Sequence, residues 1–371
     1  MNDRLDIKGF VRPGLENVID AFAGNFERGD ELGARFSAYR EGELVADLWA
    51  GWADREKSEP FGETTLCGIF SSGKAAMATL VAEAVSRGEL DYEMRIAALW
   101  PEFAAGGKDA VTLAMALSHQ AGLCGFAEEM SPADWIDHDL IAARLAAMAP
   151  LWKPGSASGY HPQTIGYIVN ETLRRAGAKT IGAKLREKNL DIYCGMRADE
   201  IARAAFMAKP QSAPVHRDGE FTKLAFLKRW SAAAKISREA WLAAEIPASN
   251  MHATARALAA IIHPLANGGV DVDGVRTIDP DTVAAALRSR ISGDDLVLPF
   301  HIDWTAGLMK NTNGFFGPRE TAFGHAGFGG SAAMIDPARK ISAAYVMNRM
   351  SPSLAGDLRA VAMFSAINAR D

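Results

Sequence analysis

Gly68-Ile69-Phe70-Ser71-Ser72-Gly73-Lys74-Ala75-Ala76-Met77-Ala78-Thr79-Leu80 reads as a short apolar strand end running into a helix, with Ser71 at the junction and Lys74 three residues on. Positions i and i+3 of a helix lie on one face, a turn apart. The hydroxyl and the amine therefore share one side of the first turn, where unpaired N–H groups and the helix dipole favour negative charge. A serine becoming an alkoxide and a substrate oxygen becoming an oxyanion both gain from that location. Behind the tip, Met77, Leu80, Val81, Ala84 and Val85 keep a helical apolar stripe, and Gly88 supplies a C-terminal stop. The tetrad also has a plain reading, with Ser71 as an N-cap and Lys74 as a solvated first-turn residue. Roughly one Ser-x-x-Lys arises by chance in a chain of this composition, so the decision rests on what flanks it.

Upstream, a helical pattern from Pro13 to Arg28 precedes two alternating runs, Arg35–Arg40 and Leu44–Ala50, around Glu41-Gly42-Glu43; turn chemistry and alternation predict a β-hairpin. Downstream, from about Leu90 to Ile246, the texture turns helical: Asp91–Trp100, Thr112–His119, Asp134–Met148, Thr164–Ala176 and Ile181–Lys188, divided by Gly and Pro. A further helix is expected over Ala253–Leu265. Strands return as Ile302–Met309, Ala322–His325, Ser331–Ile335 and Ile341–Asn348, and a helix over Leu354–Asn368 closes the chain. Strands at both ends with helices between predict an α+β fold: one antiparallel sheet built from both chain ends, flanked by helices, with a mostly helical domain inserted. The expected division is a sheet domain of residues 1–75 plus 247–371 and a helical domain of 76–246, with the site in the cleft between them.

The 371 residues, 49% hydrophobic and 23% charged, have ordinary globular values and suffice for one large or two intimate domains. A net charge of −5 with no Lys/Arg cluster argues against a nucleic-acid surface. No run approaches the ~18 apolar residues that span a bilayer, and the N-terminus has no apolar signal region, so a cytoplasmic protein with no membrane partner is expected. Cys67, Cys124 and Cys194 are odd in number and far apart, which favours buried thiols over disulfides or zinc. The eight histidines form no HExxH pair, and there is no GxGxxG, Walker loop or GxSxG elbow. Neither a metal nor a cofactor is called for.

Two further segments carry candidate chemistry. Trp152-Lys153-Pro154-Gly155-Ser156-Ala157-Ser158-Gly159-Tyr160-His161-Pro162 is a loop leading into the helix from Thr164, and a tyrosine among Gly, Ser and Pro has little core to pack into. Phe323-Gly324-His325-Ala326-Gly327-Phe328-Gly329-Gly330-Ser331 places a His-x-Gly at a strand end, followed by glycines that let backbone approach a ligand closely. Their plain readings are a loop tyrosine capping an apolar edge and a Gly-rich turn with a surface histidine.

In order and context the three segments resemble the serine β-lactamase and penicillin-binding-protein superfamily, and more narrowly the class C β-lactamase-like family VIII carboxylesterases. Ser71-Ser72-Gly73-Lys74 matches the family's Ser-x-x-Lys, Tyr160-His161-Pro162 stands where it has Tyr-x-Asn or a looser Tyr-x-x, and His325-Ala326-Gly327 takes the place of Lys-Thr-Gly or His-x-Gly. Asp47–Asp54, Ala116–Leu123, Pro154-Gly155 and Asp336-Pro337 are similar as well, so the resemblance runs from about Arg35 to Asn348, with residues 205–245 the least recognisable.

The resemblance implies a β-lactamase/transpeptidase-like fold and acyl transfer through a serine ester. Ser71 is the implied nucleophile, with Lys74 and Tyr160 as the pair that takes its proton. Lysine and tyrosine ordinarily titrate near 10, so each is expected to lower the other, desolvation acting on the amine and an ammonium on the phenol. Which of them holds the proton stays open. The N–H groups of Ser71 and Phe328 are the implied oxyanion hole, and His325, Gly327, His161 and Trp152 the implied substrate-binding residues. Phe70, Trp152, Phe315, Phe316 and Phe328 are candidates for an apolar acyl pocket. Pro162 lacks the side-chain amide of Asn, and His325 carries a weaker charge than lysine at neutral pH. Both favour a small-molecule ester of short to medium acyl chain as substrate. A β-lactamase, D-aminopeptidase or small-amide hydrolase is the alternative within the same chemistry, and a non-catalytic penicillin-recognising scaffold the alternative outside it. The oligomeric state is left open.

Overall fold

Alternation around Glu41-Gly42 does produce a hairpin, and the rest of the sheet assembles on it. In the computed structural model, which describes residues 5–369, the strands are β1 (Lys8–Val11), β2 (Gly33–Arg40), β3 (Glu43–Gly51), β4 (Cys67–Gly68), β5 (Ile192–Tyr193), β6 (His252–Ala253), β7 (Ile291–Asp294), β8 (His301–Trp304), β9 (Met309–Lys310), β10 (Phe323–Ala326), β11 (Ala332–Asp336) and β12 (Ile341–Met347). A 9-stranded antiparallel sheet runs in the order β1-β3-β2-β12-β11-β10-β9-β8-β7. The two chain ends meet where β12 pairs with β2, from Ile341 opposite Arg40 to Met347 opposite Ala34. Every residue of β12 is buried, as a strand covered on both faces requires.

Successive side chains of a strand point to opposite faces, and here the two faces join different clusters. Phe36, Leu48, Met334 and Tyr345 pack with Val18, Phe22, Phe364 and Ile367 from the helices Glu16–Glu27 and Leu358–Asn368. Ala333, Ile335, Ala344 and Val346 face the other way, onto a cluster that includes the helices Gly73–Ser86 and Ala255–Ala266. That second cluster continues without a break into the helices between residues 76 and 246, through Phe103, Ile141, Ile168 and Leu185. Among the described residues, the only strand in that stretch is β5, which joins β4 and β6 in a small sheet ordered β4-β6-β5.

Several elements depart from expectation. The Gly73–Ser86 helix has no solvated face over its first three turns, because every residue from Gly73 to Ala84 is buried, Lys74 and Glu83 included. The expected helix over Asp91–Trp100 shrinks to Ile96–Leu99, since Met94 and Tyr92 carbonyls accept backbone bonds from Leu113 and Ala114 instead of from their own segment. Ile302–Met309 is not one strand. It breaks between β8 and β9 at Gly307, whose φ of +103° suits glycine and whose Cβ position would lie 2.8 Å from that of Ala78. The three cysteines are buried free thiols. Among the described residues no helix is long and apolar enough to cross a membrane.

Candidate active site

Ser71 is presented by a backbone that three neighbours clasp. β4 pairs with β6, and the Ile69 N–H donates to the Met251 carbonyl at 3.0 Å. Phe70 then takes φ +45°, a left-handed value that a non-glycine residue holds only when its surroundings impose it. Its ring packs edge-on against Phe328, with centroids 6.1 Å apart. From the turn after β10, Ser331 Oγ donates to the Ile69 carbonyl (2.8 Å) and lies 3.0 Å from Ser72 Oγ. The chain completes a tight turn over Phe70–Ser72 and enters the Gly73–Ser86 helix, leaving Ser71 partly open while Ser72 is buried.

Lys74 is 1% exposed. Its Nζ lies 2.8 Å from the Ala248 carbonyl, 2.9 Å from the Pro162 carbonyl and 3.0 Å from Ser71 Oγ. Burial pushes its pKa well below the ordinary lysine value, and no carboxylate stands close enough to oppose the shift. Carbonyl oxygens only accept, so two of the amine's hydrogens are committed to Pro162 and Ala248. In the neutral amine the remaining position is a lone pair, and the group left for it to meet is the Ser71 hydroxyl.

Tyr160 reaches the same place from its loop. Lys74 Nζ sits 4.9 Å from the centre of the phenol ring, over its face. The ring stacks on Trp304 (5.9 Å, 7° between planes) and receives His119 edge-on at 4.8 Å. Its hydroxyl is buried and, in this arrangement, makes no geometrically sound hydrogen bond. Burial raises the phenol's pKa; the nearby Ser71 hydroxyl opposes the rise, while the charge of Asp295 adds to it. The expected mutual lowering is therefore found on the amine only. Desolvation acts on both groups, disfavouring the charged form of each, and so drives the two pKa values in opposite directions.

Sequence reasoning missed the residue that fixes this loop. Buried Asp295 accepts through Oδ1 from the N–H groups of Tyr160, Val297 and Leu298, each at 2.9 Å, and through Oδ2 from Trp304 Nε1 at 3.3 Å. His119 was also missed: at φ +61° it turns its ring under Tyr160, and its Nδ1 accepts from the His161 N–H at 3.2 Å. Neither had a readable signal, since a single acid in Gly293-Asp294-Asp295-Leu296 and a histidine after a short helix are ordinary loop residues.

The four expected substrate-binding residues divide. His161 is completely buried, with Nδ1 2.6 Å from the Gly159 carbonyl and Nε2 accepting from the Leu123 N–H at 2.8 Å. Both nitrogens are occupied by backbone, so His161 braces its loop and presents nothing to a ligand. His325 is also fully buried; Nδ1 donates to the Ala326 carbonyl at 2.9 Å, Nε2 has no partner, and burial lowers its pKa to about 3. Gly327 allows the turn to touch the nucleophile segment, because a Cβ there would fall 2.4 Å from the Ile69 carbonyl oxygen. Trp152 is half-buried over Gly159 and packs on Phe221 at 5.1 Å. Among the aromatic candidates Phe316 is wholly core, and Phe315 packs on Phe300, leaving Phe70, Trp152 and Phe328 partly open. The otherwise unreadable stretch 205–245 contributes Phe226, which stacks on Tyr160 at 6.3 Å.

The turn after β10 holds the expected oxyanion donor. The N–H groups of Gly327, Gly329 and Gly330 donate to Ser331, Ser353 and Gly327 carbonyls, whereas that of Phe328 has no acceptor among the described residues. A possible metal group elsewhere, His138, Asp139 and Glu171, is already held by Arg174 and Arg175.

Comparison with known proteins agrees with this architecture. The Beta-lactamase family model matches residues 15–366. A penicillin-binding-protein homologue from Caulobacter crescentus superposes with a TM-score of 0.94 at 46% identity, over 98% of this chain and 99% of that one. A structure described as a family VIII carboxylesterase gives 0.90 at 37% identity over the same shares. The esterase/beta-lactamase LipL of Mycobacterium tuberculosis is 32% identical over 92% of this chain and 83% of its own length. The chain belongs to the Beta-lactamase family of the serine β-lactamase and penicillin-binding-protein superfamily.

Proposed function

We propose that the protein is a serine carboxylesterase acting on small esters of short to medium acyl chain through an acyl-enzyme on Ser71. The observation that carries this reading is the environment of Lys74: two carbonyls take its hydrogens, and the lone pair of the neutral amine is left for Ser71 Oγ. The names borne by two of the similar proteins, a family VIII carboxylesterase and an esterase/beta-lactamase, support ester cleavage.

In acylation Ser71 Oγ attacks the ester carbonyl carbon and its proton passes to Lys74 Nζ. Negative charge gathers on the carbonyl oxygen, which the N–H groups of Ser71 and Phe328 receive; one such donor is worth about 3 kcal/mol in hydrolases. The C–O bond then breaks. The leaving alkoxide takes the Tyr160 proton, which Lys74 replaces, so the amine is neutral again. Water repeats the sequence in reverse: it gives a proton to the Lys74/Tyr160 pair, attacks the acyl carbon and releases the acid, and Ser71 recovers its hydrogen. Burial fits these roles, drawing the amine toward its neutral form and the phenol toward its protonated form.

Around the nucleophile, burial pushes His119, His161 and His325 below the ordinary histidine value and Lys74 well below the ordinary lysine value. Burial thus works against a fixed cation there to seat the carboxylate of a β-lactam, which favours uncharged esters. Turnover of p-nitrophenyl butyrate against a chromogenic cephalosporin tests the choice, with at least a hundredfold preference expected for the ester. A strong preference for the cephalosporin overturns it. Fluorophosphonate labelling followed by peptide mapping tests catalysis itself, and an unlabelled Ser71 would leave the non-catalytic scaffold as the reading.

A further inference from the structure

Met350, which packs on Gly329, and Asp357 and Arg359, which pack on Gly330, line a groove of about 930 Å³, within the size range of small-molecule sites. None of Ser71, Lys74, Tyr160 or Phe328 lines it. Five cationic side chains do: buried Arg359, which is paired with Asp357 and Glu31, and four that are exposed, Arg55, Lys57, Lys209 and Arg349. Among the described residues none of the four is paired with a carboxylate. The two acids of the lining are already engaged, Asp30 by Arg28 at 3.1 Å and Asp357 by Arg359 at 2.9 Å. Arg349 donates to the neutral Gly29 carbonyl at 2.8 Å, so its charge too is without a carboxylate partner, and such a concentration is conspicuous in a chain whose net charge is −5. Low-dielectric walls focus such a field into the groove.

The same groove exposes apolar surface. Phe206 is 44% and Leu358 79% exposed, and both line it together with buried Met350. Large apolar side chains held open beside free cations match a ligand with a charged head and a hydrocarbon body. The loop Arg349–Ser353 that forms one wall is fixed, since Met350 donates to the Ala208 carbonyl at 2.8 Å, Ala208 to the Asn348 carbonyl at 2.7 Å and Ser351 to the Gly329 carbonyl at 2.9 Å. The groove is therefore built before a ligand arrives.

We infer that this groove is a second binding site, separate from the Ser71 centre, for a free amphipathic organic anion whose carboxylate or phosphate head meets Arg55, Lys57, Lys209 and Arg349 while its hydrocarbon lies on Phe206 and Leu358. Decanoate below its micellar concentration is the probe, followed by calorimetry on the full chain. Saturable binding is expected, weakened at least tenfold by R55E/K209E and severalfold by raising salt from 50 to 300 mM. Decanol, with the body but not the charge, should bind at least tenfold more weakly. Protein blocked at Ser71 with a fluorophosphonate should bind decanoate unchanged, and the double variant should hydrolyse p-nitrophenyl butyrate at the parental rate and melt within a few degrees of the parent. Equal affinity in R55E/K209E, equal affinity for decanol, or loss of binding on blocking Ser71 each overturns the inference. Sedimentation with anionic vesicles but no binding of monomeric decanoate overturns it too, in favour of a membrane surface. Because calorimetry reads binding rather than turnover, an inactive protein would leave this result standing and fail only the esterase reading.

Discussion

At Lys74 three contacts decide the chemistry. Were the amine charged, its third hydrogen would point at Ser71 Oγ and the serine could not give up its proton. The amine's low pKa sets the sign of the pH dependence: the base form fills as pH rises through that value, so the acidic limb of kcat/KM must lie well below the ordinary lysine value of 10.5, with activity already high near neutrality. A rate still climbing tenfold per pH unit from 8 to 10 would contradict this assignment. S71A should lose all turnover and melt within a few degrees of the parent, because the partly open hydroxyl caps no helix and its hydrogen bond with Lys74 is worth about 1 kcal/mol. Asp295 makes a sharper case. D295A leaves the buried N–H groups of Tyr160, Val297 and Leu298 without acceptor, and each unsatisfied donor costs about 1–3 kcal/mol. In D295N the amide oxygen can still serve those three, but the amide hydrogens then face Trp304 Nε1, so the denaturant midpoint should fall between those of parent and D295A. The meeting of Ser71, Lys74 and Tyr160 was legible because they stand in ordered motifs. Asp295 was not, because its task is to accept backbone N–H groups, and any loop acid looks alike until the loop is folded.

Elements were legible in proportion to their period. β2 and β3 repeat an alternation over eight residues or more, β12 is a run of seven buried residues, and the helices Thr164–Arg175 and Ala255–Ala266 repeat their period over three turns. The two-residue strands β4, β5 and β6 have no period to read; they form because the Met251 carbonyl and its neighbours offer partners at the right place. Exposed β1 and β7 lie at the sheet's two edges, where no alternation of burial is imposed from both sides. The contact that matters most at this scale joins the turn after β10 to the nucleophile segment. G327A would drive a methyl against the Ile69 carbonyl and the Ser331 hydroxyl, both fixed groups. A loss of about 1–3 kcal/mol in stability is expected from such overpacking, together with a fall in fluorophosphonate labelling of Ser71 of at least tenfold. S331A removes the clasp without adding volume, so it should slow labelling while costing only about 1 kcal/mol. Labelling at the parental rate in both variants would show that the turn does not set the nucleophile's position.

At the scale of the whole molecule, one feature recurs both beside the site and away from it: buried imidazoles used as hydrogen-bond acceptors. His161 Nε2 takes the Leu123 N–H, and His263 Nε2 takes the Gly42 N–H at 2.9 Å, tying the β2–β3 hairpin to the Ala255–Ala266 helix. Protonating either nitrogen would place a hydrogen where a backbone hydrogen already sits, and would bury a charge. Their pKa values accordingly fall from 6.5 to about 3 and about 4, with burial the main cause in each. Unfolded, both bind a proton once the pH drops through 6.5; folded, neither does until pH 3 to 4 is reached. The unfolded chain therefore holds more protons throughout that window, and stability must decline as pH falls across it, on the order of 1 kcal/mol per pH unit for each histidine. Urea midpoints should hold steady above pH 7 and drop steeply between pH 6.5 and 4. Replacing His263 by Gln, which keeps an acceptor for Gly42 but cannot take up a proton, should flatten that slope by about one histidine's share even if it lowers stability at pH 7. An H263Q slope equal to the parent's would mean that acid lability arises elsewhere in the molecule.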